Sequence, residues 1–186
     1  MIADVTGDQR VQRRGRIVIV TIIALFLLAC AVLGVFLWQR HQEEQRLGEL
    51  TAPGLLSVGV PPLDQEIDEL APLENNRGLV ATYRDAEAEP ITQFRLLNIR
   101  VGPGLDLCAA LGEVEPELAD NCESTAHDLS AHADGPSTIL LAEGQLRAAT
   151  LVVLVAHPAN YDAETLRSYV EQAEWMSVRD LADQVG

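Results

Sequence analysis

The chain has 186 residues, 48% of them hydrophobic, and its 28 acidic against 13 basic side chains leave a formal net charge of −15. Every basic residue is an arginine, which excludes a Walker A phosphate loop, a lysine Schiff base, a Ser-Lys nucleophile pair and a Lys-Asn isopeptide cross-link. The charge also argues against nucleic-acid binding, which rests on phosphate neutralisation by cationic side chains, and no basic stripe with interleaved aromatics runs through the sequence.

A mean hydropathy of +0.09 in a chain that is 22% charged requires a segment in which apolar residues concentrate. Residues 17–38, IVIVTIIALFLLACAVLGVFLW, are 22 positions without a charge. At about 1.5 Å per residue they make a helix of roughly 33 Å, enough to cross a bilayer. The rest of the chain is too small to wrap a helix that is apolar on every face, so a buried core helix is disfavoured. Arg10, Arg13, Arg14 and Arg16 precede the span against Asp4 and Asp8, whereas Arg40 and Arg46 follow it among His41, Glu43 and Glu44. Positive-inside counting therefore puts residues 1–16 in the cytoplasm as a basic tail, with the C-terminal part outside. Trp38 suits an interfacial anchor. The Arg13-Arg14 pair matches a twin-arginine signal only in the pair itself, and ordinary positive-inside charge explains it.

Leu27-Leu28-Ala29-Cys30 resembles a lipoprotein box and Ala29-Cys30-Ala31 a small-x-small cleavage site, which makes Cys30 a lipidation candidate. Beyond Cys30 the chain stays apolar or small through AVLGVFLW, whereas processed secretory chains turn polar soon after cleavage. An uncleaved signal-anchor is the expectation. Cys30 and Gly34 form one small-xxx-small pair, a spacing that permits close helix approach and is common by chance.

Residues 39–50, QRHQEEQRLGEL, are polar helix formers that extend the span as a stalk until Pro53 and Gly54 stop it. Residues 51–76 contain Pro53, Pro61, Pro62 and Pro72 and read as a linker of limited flexibility. Within it Pro62 can open a short amphipathic helix that puts Leu63, Ile67 and Leu70 on one face, opposite Asp64, Glu66, Asp68 and Glu69. That apolar face docks on its own domain or binds a partner.

Residues 77–186 form the expected extracytoplasmic domain. Leu79–Arg84 and Ile91–Val101 read as strands between Gly78, Pro90 and the Gly102-Pro103-Gly104 break. Leu105–Leu111 and residues 116–133 read as helices. Thr138–Ala142 and Ala148–Ala156 read as a hairpin turning at Glu143-Gly144-Gln145, its second strand buried on both faces at the centre of the sheet. Asp162 caps a helix running to about Met176, and Ser177 starts a last one with the capping-box pattern Ser177-Val178-Arg179-Asp180. The fold class that follows is α+β: one N-terminal transmembrane helix, then a small domain whose mostly antiparallel sheet carries helices on one face.

Cys108 and Cys122 pair as a structural disulfide if the domain lies in an oxidising space, and the Cys-x-x-Cys spacing of redox-active pairs is absent. His127 and His132 are about 140° apart around a helix, so a metal site from Cys122, His127, Asp128, His132 or Asp134 is a weak reading against solvated surface positions. His157 ends the buried strand, where a structural histidine is commoner than a catalytic one. Asp85, Glu87 and Glu89, like Glu113, Glu115 and Glu117, can chelate calcium only if a loop turns their oxygens inward, and neither run has EF-hand spacing. Ser130, Ser137 and Ser168 lack any nucleophile signature.

The sequence thus leads to a single-pass membrane protein whose acidic outer domain binds another cell-envelope component as an accessory, adaptor or assembly subunit, with no cofactor. The competing readings are a membrane-tethered enzyme using His157 and nearby acids, and a ligand binder lipidated at Cys30. A pocket holding perturbed carboxylates or His157 favours the enzyme, and a flat apolar patch favours binding.

Overall fold

The computed structural model describes residues 6–51, 53–55, 57–62, 66–85, 92–135 and 139–185. The chain divides into two compact units, Met1–Arg46 and Leu47–Gly186. Helix α1 (Thr6–Thr51) runs through the apolar segment and the expected stalk. Its large apolar side chains between Leu25 and Trp38 are each 56–67% exposed, and the helix is long and apolar enough to cross a membrane. It ends before Pro53: the Gly54 N–H returns to the Thr51 carbonyl at 3.0 Å, and Gly54 takes φ +70°, a left-handed conformation that costs glycine nothing.

The second unit is built on seven antiparallel strands. Across the sheet they run β2 (Glu66–Pro72), β3 (Gly78–Asp85), β4 (Thr92–Arg100), β8 (Thr150–Ala156), β7 (Ile139–Arg147), β6 (Asp128–Asp134) and β5 (Cys122–Ser124). As the sequence suggests, β8 stands at the centre, and every one of its residues is buried. Leu151, Val153 and Val155 pack into one core with α2 (Leu107–Gly112) and α3 (Pro116–Ala119). Val152, Leu154 and Ala156 pack into another with α4 (Ala163–Glu171), α5 (Val178–Asp183) and β1 (Val58–Val60). β1 pairs with β9 (Glu174–Met176) as a separate two-stranded ribbon. The architecture is mixed α+β with an antiparallel sheet, but helices cover both faces where one was expected. A strand apolar at every position needs cover on both sides, because its period-2 side chains alternate between them.

Local chemistry sets the helix starts. The Asp162 carboxylate accepts from the Thr165 N–H at 2.7 Å, and the Ser177 hydroxyl accepts from the Asp180 N–H at 3.1 Å, so both expected caps are in place. Helix α4 stops at Glu171, short of Met176, and the chain then enters β9.

Three other segments differ from the sequence reading. The helix expected over 116–133 is one turn, α3, followed by the hairpin β5–β6. The sequence DLSAHAD in β6 alternates in burial, with Leu129, Ala131 and Ala133 inward, which is the strand period rather than the helix period. The turn expected at Glu143-Gly144-Gln145 lies inside β7; the chain reverses at Ala148, which takes φ +53°. Residues 51–76, expected as a linker, supply β1 and β2.

Of the amphipathic helix expected there, Leu63 lies outside the described residues, and Ile67 and Leu70 sit on edge strand β2 instead. The register shifts between Ile67, opposite Tyr83, and Glu69, opposite Thr82. The extra residue, Asp68, puts Ile67 and Leu70 on the same face at a spacing of three, so a bulged strand imitates helical periodicity.

Candidate functional site

The polar features of the domain gather on the side of the sheet covered by α4. The buried polar residues among those described, Asn98, Glu143 and Thr150, all point to that face, since they alternate with Leu97, Ala142 and Leu151 of the opposite core. Asn98 holds β1 in place: its carbonyl oxygen accepts from the Gly59 N–H at 2.7 Å and its amide donates to the Gly59 carbonyl at 3.2 Å. Gly59 is required there, because a Cβ would stand 2.6 Å from a Val152 methyl.

Glu143 is the most deeply placed carboxylate, its side chain 3% exposed. A buried carboxylate is tolerated only when hydrogen-bonded or paired, and Glu143 has both. One oxygen accepts from the Ser130 hydroxyl at 2.8 Å. The other accepts from the Arg167 Nε and Nη2 at 3.1 and 3.0 Å. Cross-strand register puts Ser130 opposite both Glu143 and Glu123, and α4 delivers Arg167 from above. Sequence reading misses this site by treating Glu143 as a turn residue; the available signal is a lone carboxylate inside the apolar run ILLAEGQL.

Around the pair opens a cleft of about 400 Å³, lined among others by Glu123, Asp128, Glu143, Arg167 and Glu171. Four carboxylates and one guanidinium face it, so it suits a basic or hydrogen-bond-donating group more than an anion. No histidine or cysteine lines the cleft, so the hydroxyl of Ser130 meets a carboxylate but no imidazole, and the Ser-His-Asp type of nucleophile is not assembled.

The other candidates are scattered. Cys108 and Cys122 lie at disulfide distance, Sγ–Sγ 2.07 Å and Cα–Cα 5.7 Å, linking α2 to β5. That occupies Cys122; His127 and His132 are exposed, and among the described residues no three His, Cys, Asp or Glu side chains gather to hold a metal ion. Glu113 and Glu115 point to separate partners, Arg77 and Arg95, and Glu117 is exposed on α3. The run Asp85–Glu89 is outside the described residues beyond Asp85. His157 is exposed and its Nδ1 accepts from the Ala159 N–H at 3.1 Å, a turn contact outside the cleft. Ser168 accepts from Gln172 on α4, and Ser137 lies outside the described residues. Cys30 is a free thiol on the exposed surface of α1.

Two groups titrate away from their ordinary range. Burial pushes the Tyr83 hydroxyl up to about 12; its ring stacks on Phe94 at 4.7 Å, and its buried hydroxyl has no hydrogen-bond partner among the described residues. Asp162 is lowered, chiefly by the backbone N–H of Thr165 that its carboxylate caps. Neither faces the Glu143 cleft. No family model, curated protein or solved structure matches this chain.

Proposed function

We propose that the chain is a single-pass membrane protein, N-terminus in the cytoplasm, whose acidic outer domain binds another component of the cell envelope as an accessory, adaptor or assembly subunit. The observation that carries the reading is the Glu143 cleft: a buried carboxylate fixed by Ser130 and Arg167, ringed by further acids, with no imidazole or thiol to do chemistry. Such a site is preorganised for recognition. The apolar span of α1 and the arginines before it support the membrane orientation. The domain offers no flat apolar patch among the described residues: outside α1 the large hydrophobic side chain that stands exposed is Ile139, at 43%. Recognition is therefore polar, and a partner presenting arginine or lysine to the cleft fits best.

The test is purification of the full-length tagged chain from its native membrane in mild detergent, with a carboxylate-directed crosslinker because the chain has no lysine. One envelope protein at stoichiometric level, lost on Glu123→Arg with Asp128→Arg and kept on Asp120→Arg outside the cleft, supports the reading. A chain that purifies alone, or a partner indifferent to the cleft variants, sinks it. Protease added outside intact spheroplasts is expected to remove the C-terminal domain; full protection overturns the orientation.

A further inference from the structure

A second cleft, of about 340 Å³, lies at the β7–β8 reversal and is lined by Gly54, Leu55, Arg100, Arg147, Thr150 and Trp175, among others. Strand register builds it. Thr150 of β8 stands opposite Arg100 of β4 on one side and opposite Arg147 of β7 on the other. Residues directly opposite in an antiparallel sheet project to the same face, so the three form a row Arg100-Thr150-Arg147 on the α4 side. Two strand spacings of about 4.8 Å separate the arginines at the backbone, roughly 10 Å, a span that two guanidinium arms close on a single group between them.

Arg77, Arg84, Arg95 and Arg167 each pair with a carboxylate. Arg100 and Arg147, like Arg46 and Arg179, have no carboxylate partner among the described residues, and they are the two brought together in one cleft. The one side-chain bond of Arg147 is a long one, 3.4 Å, to the Glu171 carbonyl. Thr150 keeps the two guanidinium groups from standing directly opposite each other, which leaves room between them for one anionic group. Gly54 lets the backbone come against this site: a Cβ there would stand 2.9 Å from Arg100 Nη1. Trp175 lines the same cleft with its ring; its buried indole N–H has no hydrogen-bond partner among the described residues. Leu55, Ala148 and Ala149 supply an apolar wall.

Donor number selects the anion. Two guanidinium groups carry five N–H donors each, more than the two oxygens of one carboxylate accept, and match the several oxygens of a phosphoryl group better. We propose that this cleft binds the phosphoryl group of a phosphate ester, held between Arg100 and Arg147, with the apolar part of the ester against Leu55 and Trp175. The inference is independent of the role given to the Glu143 cleft.

The chain reports on this itself, because its two tryptophans are Trp38 and Trp175, and Trp38→Phe leaves Trp175 as the single fluorophore. The full-length variant in neutral detergent is titrated with inorganic phosphate and, separately, with phosphatidylglycerol in mixed micelles against diacylglycerol. A saturable change in emission is expected, absent with chloride at matched ionic strength and weakened at least tenfold by Arg100→Gln or Arg147→Gln. A response to inorganic phosphate assigns a free phosphate ester; a response to phosphatidylglycerol alone assigns a lipid head group. No saturable response to either, an equal response to acetate, or unchanged affinity in both variants overturns the proposal. Both arginines are exposed, so the glutamine variants are expected to keep their melting temperature. If one does not, Arg147→Lys, which keeps the charge and loses the fork, is expected to bind with intermediate affinity, and wild-type affinity there counts against the site.

Discussion

The two faces of the sheet are held by different means. On the α2–α3 side the buried residues of the core are apolar, from Leu97 and Ile99 to Leu118 and Leu129, and the cover is tied by the Cys108–Cys122 pair at disulfide distance and by the part-buried pair of Arg95 with Glu115. On the α4 side the core is apolar too, but each part of its cover is fastened by a polar contact: β1 through Asn98 to Gly59, and α4 through Arg167 to Glu143. Both clefts open on this second side. Close apolar packing resists sliding through shape alone, and buried directional hydrogen bonds add a specific register to it. The polar groups that seat the cover on the α4 side, Asn98 and Glu143, are themselves buried, whereas Arg95 and Glu115 on the other side keep part of their surface exposed.

The largest effect is expected where the polar fastening is most buried. Asn98→Leu leaves both the N–H and the carbonyl of Gly59 without partners, at about 1–3 kcal/mol each, so a loss of roughly 4 kcal/mol is expected in chemical denaturation. Hydrogen exchange is expected to show β1 released while β5 and β6 stay protected. A loss below about 1 kcal/mol means that packing alone seats β1, and the contrast between the faces fails.

Next comes the covalent fastening. Cys108→Ser with Cys122→Ser is expected to cost about 3 kcal/mol, the chain-entropy value for a loop of this length. Combined with Asn98→Leu, the losses are expected to add, since the sites lie on opposite faces; non-additivity beyond about 0.5 kcal/mol shows that the two covers are coupled through the sheet.

Tyr83→Phe sharpens the comparison with a gain. It removes a buried hydroxyl that has no partner among the described residues and keeps the ring stacked on Phe94, so stability near neutral pH is expected to rise by about 1 kcal/mol. Because the folded-state value is raised to about 12 from an unfolded value near 10, the native state holds its proton longer. Wild-type stability is therefore full below pH 10 and falls as the pH climbs toward about 12. The phenylalanine variant is expected to lose that alkaline fall; an unchanged urea midpoint across pH 10–12 in the wild type refutes the assignment.

The smallest effect is at the start of α4. Asp162 is lowered by the Thr165 N–H it caps, so its contribution is present above the unfolded carboxylate range and is lost as the pH falls through the lowered folded value. Amide protection at Thr165 and Leu166, relative to intrinsic exchange at the same pH, is expected to fall in acid in the wild type and to be low at every pH in Asp162→Ala.

Much of this is legible in the residues. The run from Leu151 to Ala156 is apolar without a break, which identifies a strand buried on both sides, and the caps at Asp162 and Ser177 are matters of nearest-neighbour chemistry. What fails to read is whatever depends on a distant partner. Glu143 looks like a turn because only Ser130 and Arg167, thirteen residues before it and 24 after it, explain a carboxylate in a central strand. Ile67 and Leu70 look helical because the extra Asp68 is visible only against β3. The error over 116–133 has a different origin: the alternation of Leu129, Ala131 and Ala133 is present in the sequence, and weak strand formers such as alanine conceal it.

The bulge at Asp68 has a further consequence. A seven-stranded sheet ends in two rows of unused hydrogen-bonding groups, each an invitation to a strand from another molecule. Here one border, β2, is broken in step by Asp68, carries exposed Asp68 and Glu69, and closes on Pro72, which has no N–H to offer. The other border, β5, is three residues long. Among the described residues a visiting strand finds no straight run on either margin, so edge-to-edge pairing through this sheet is disfavoured.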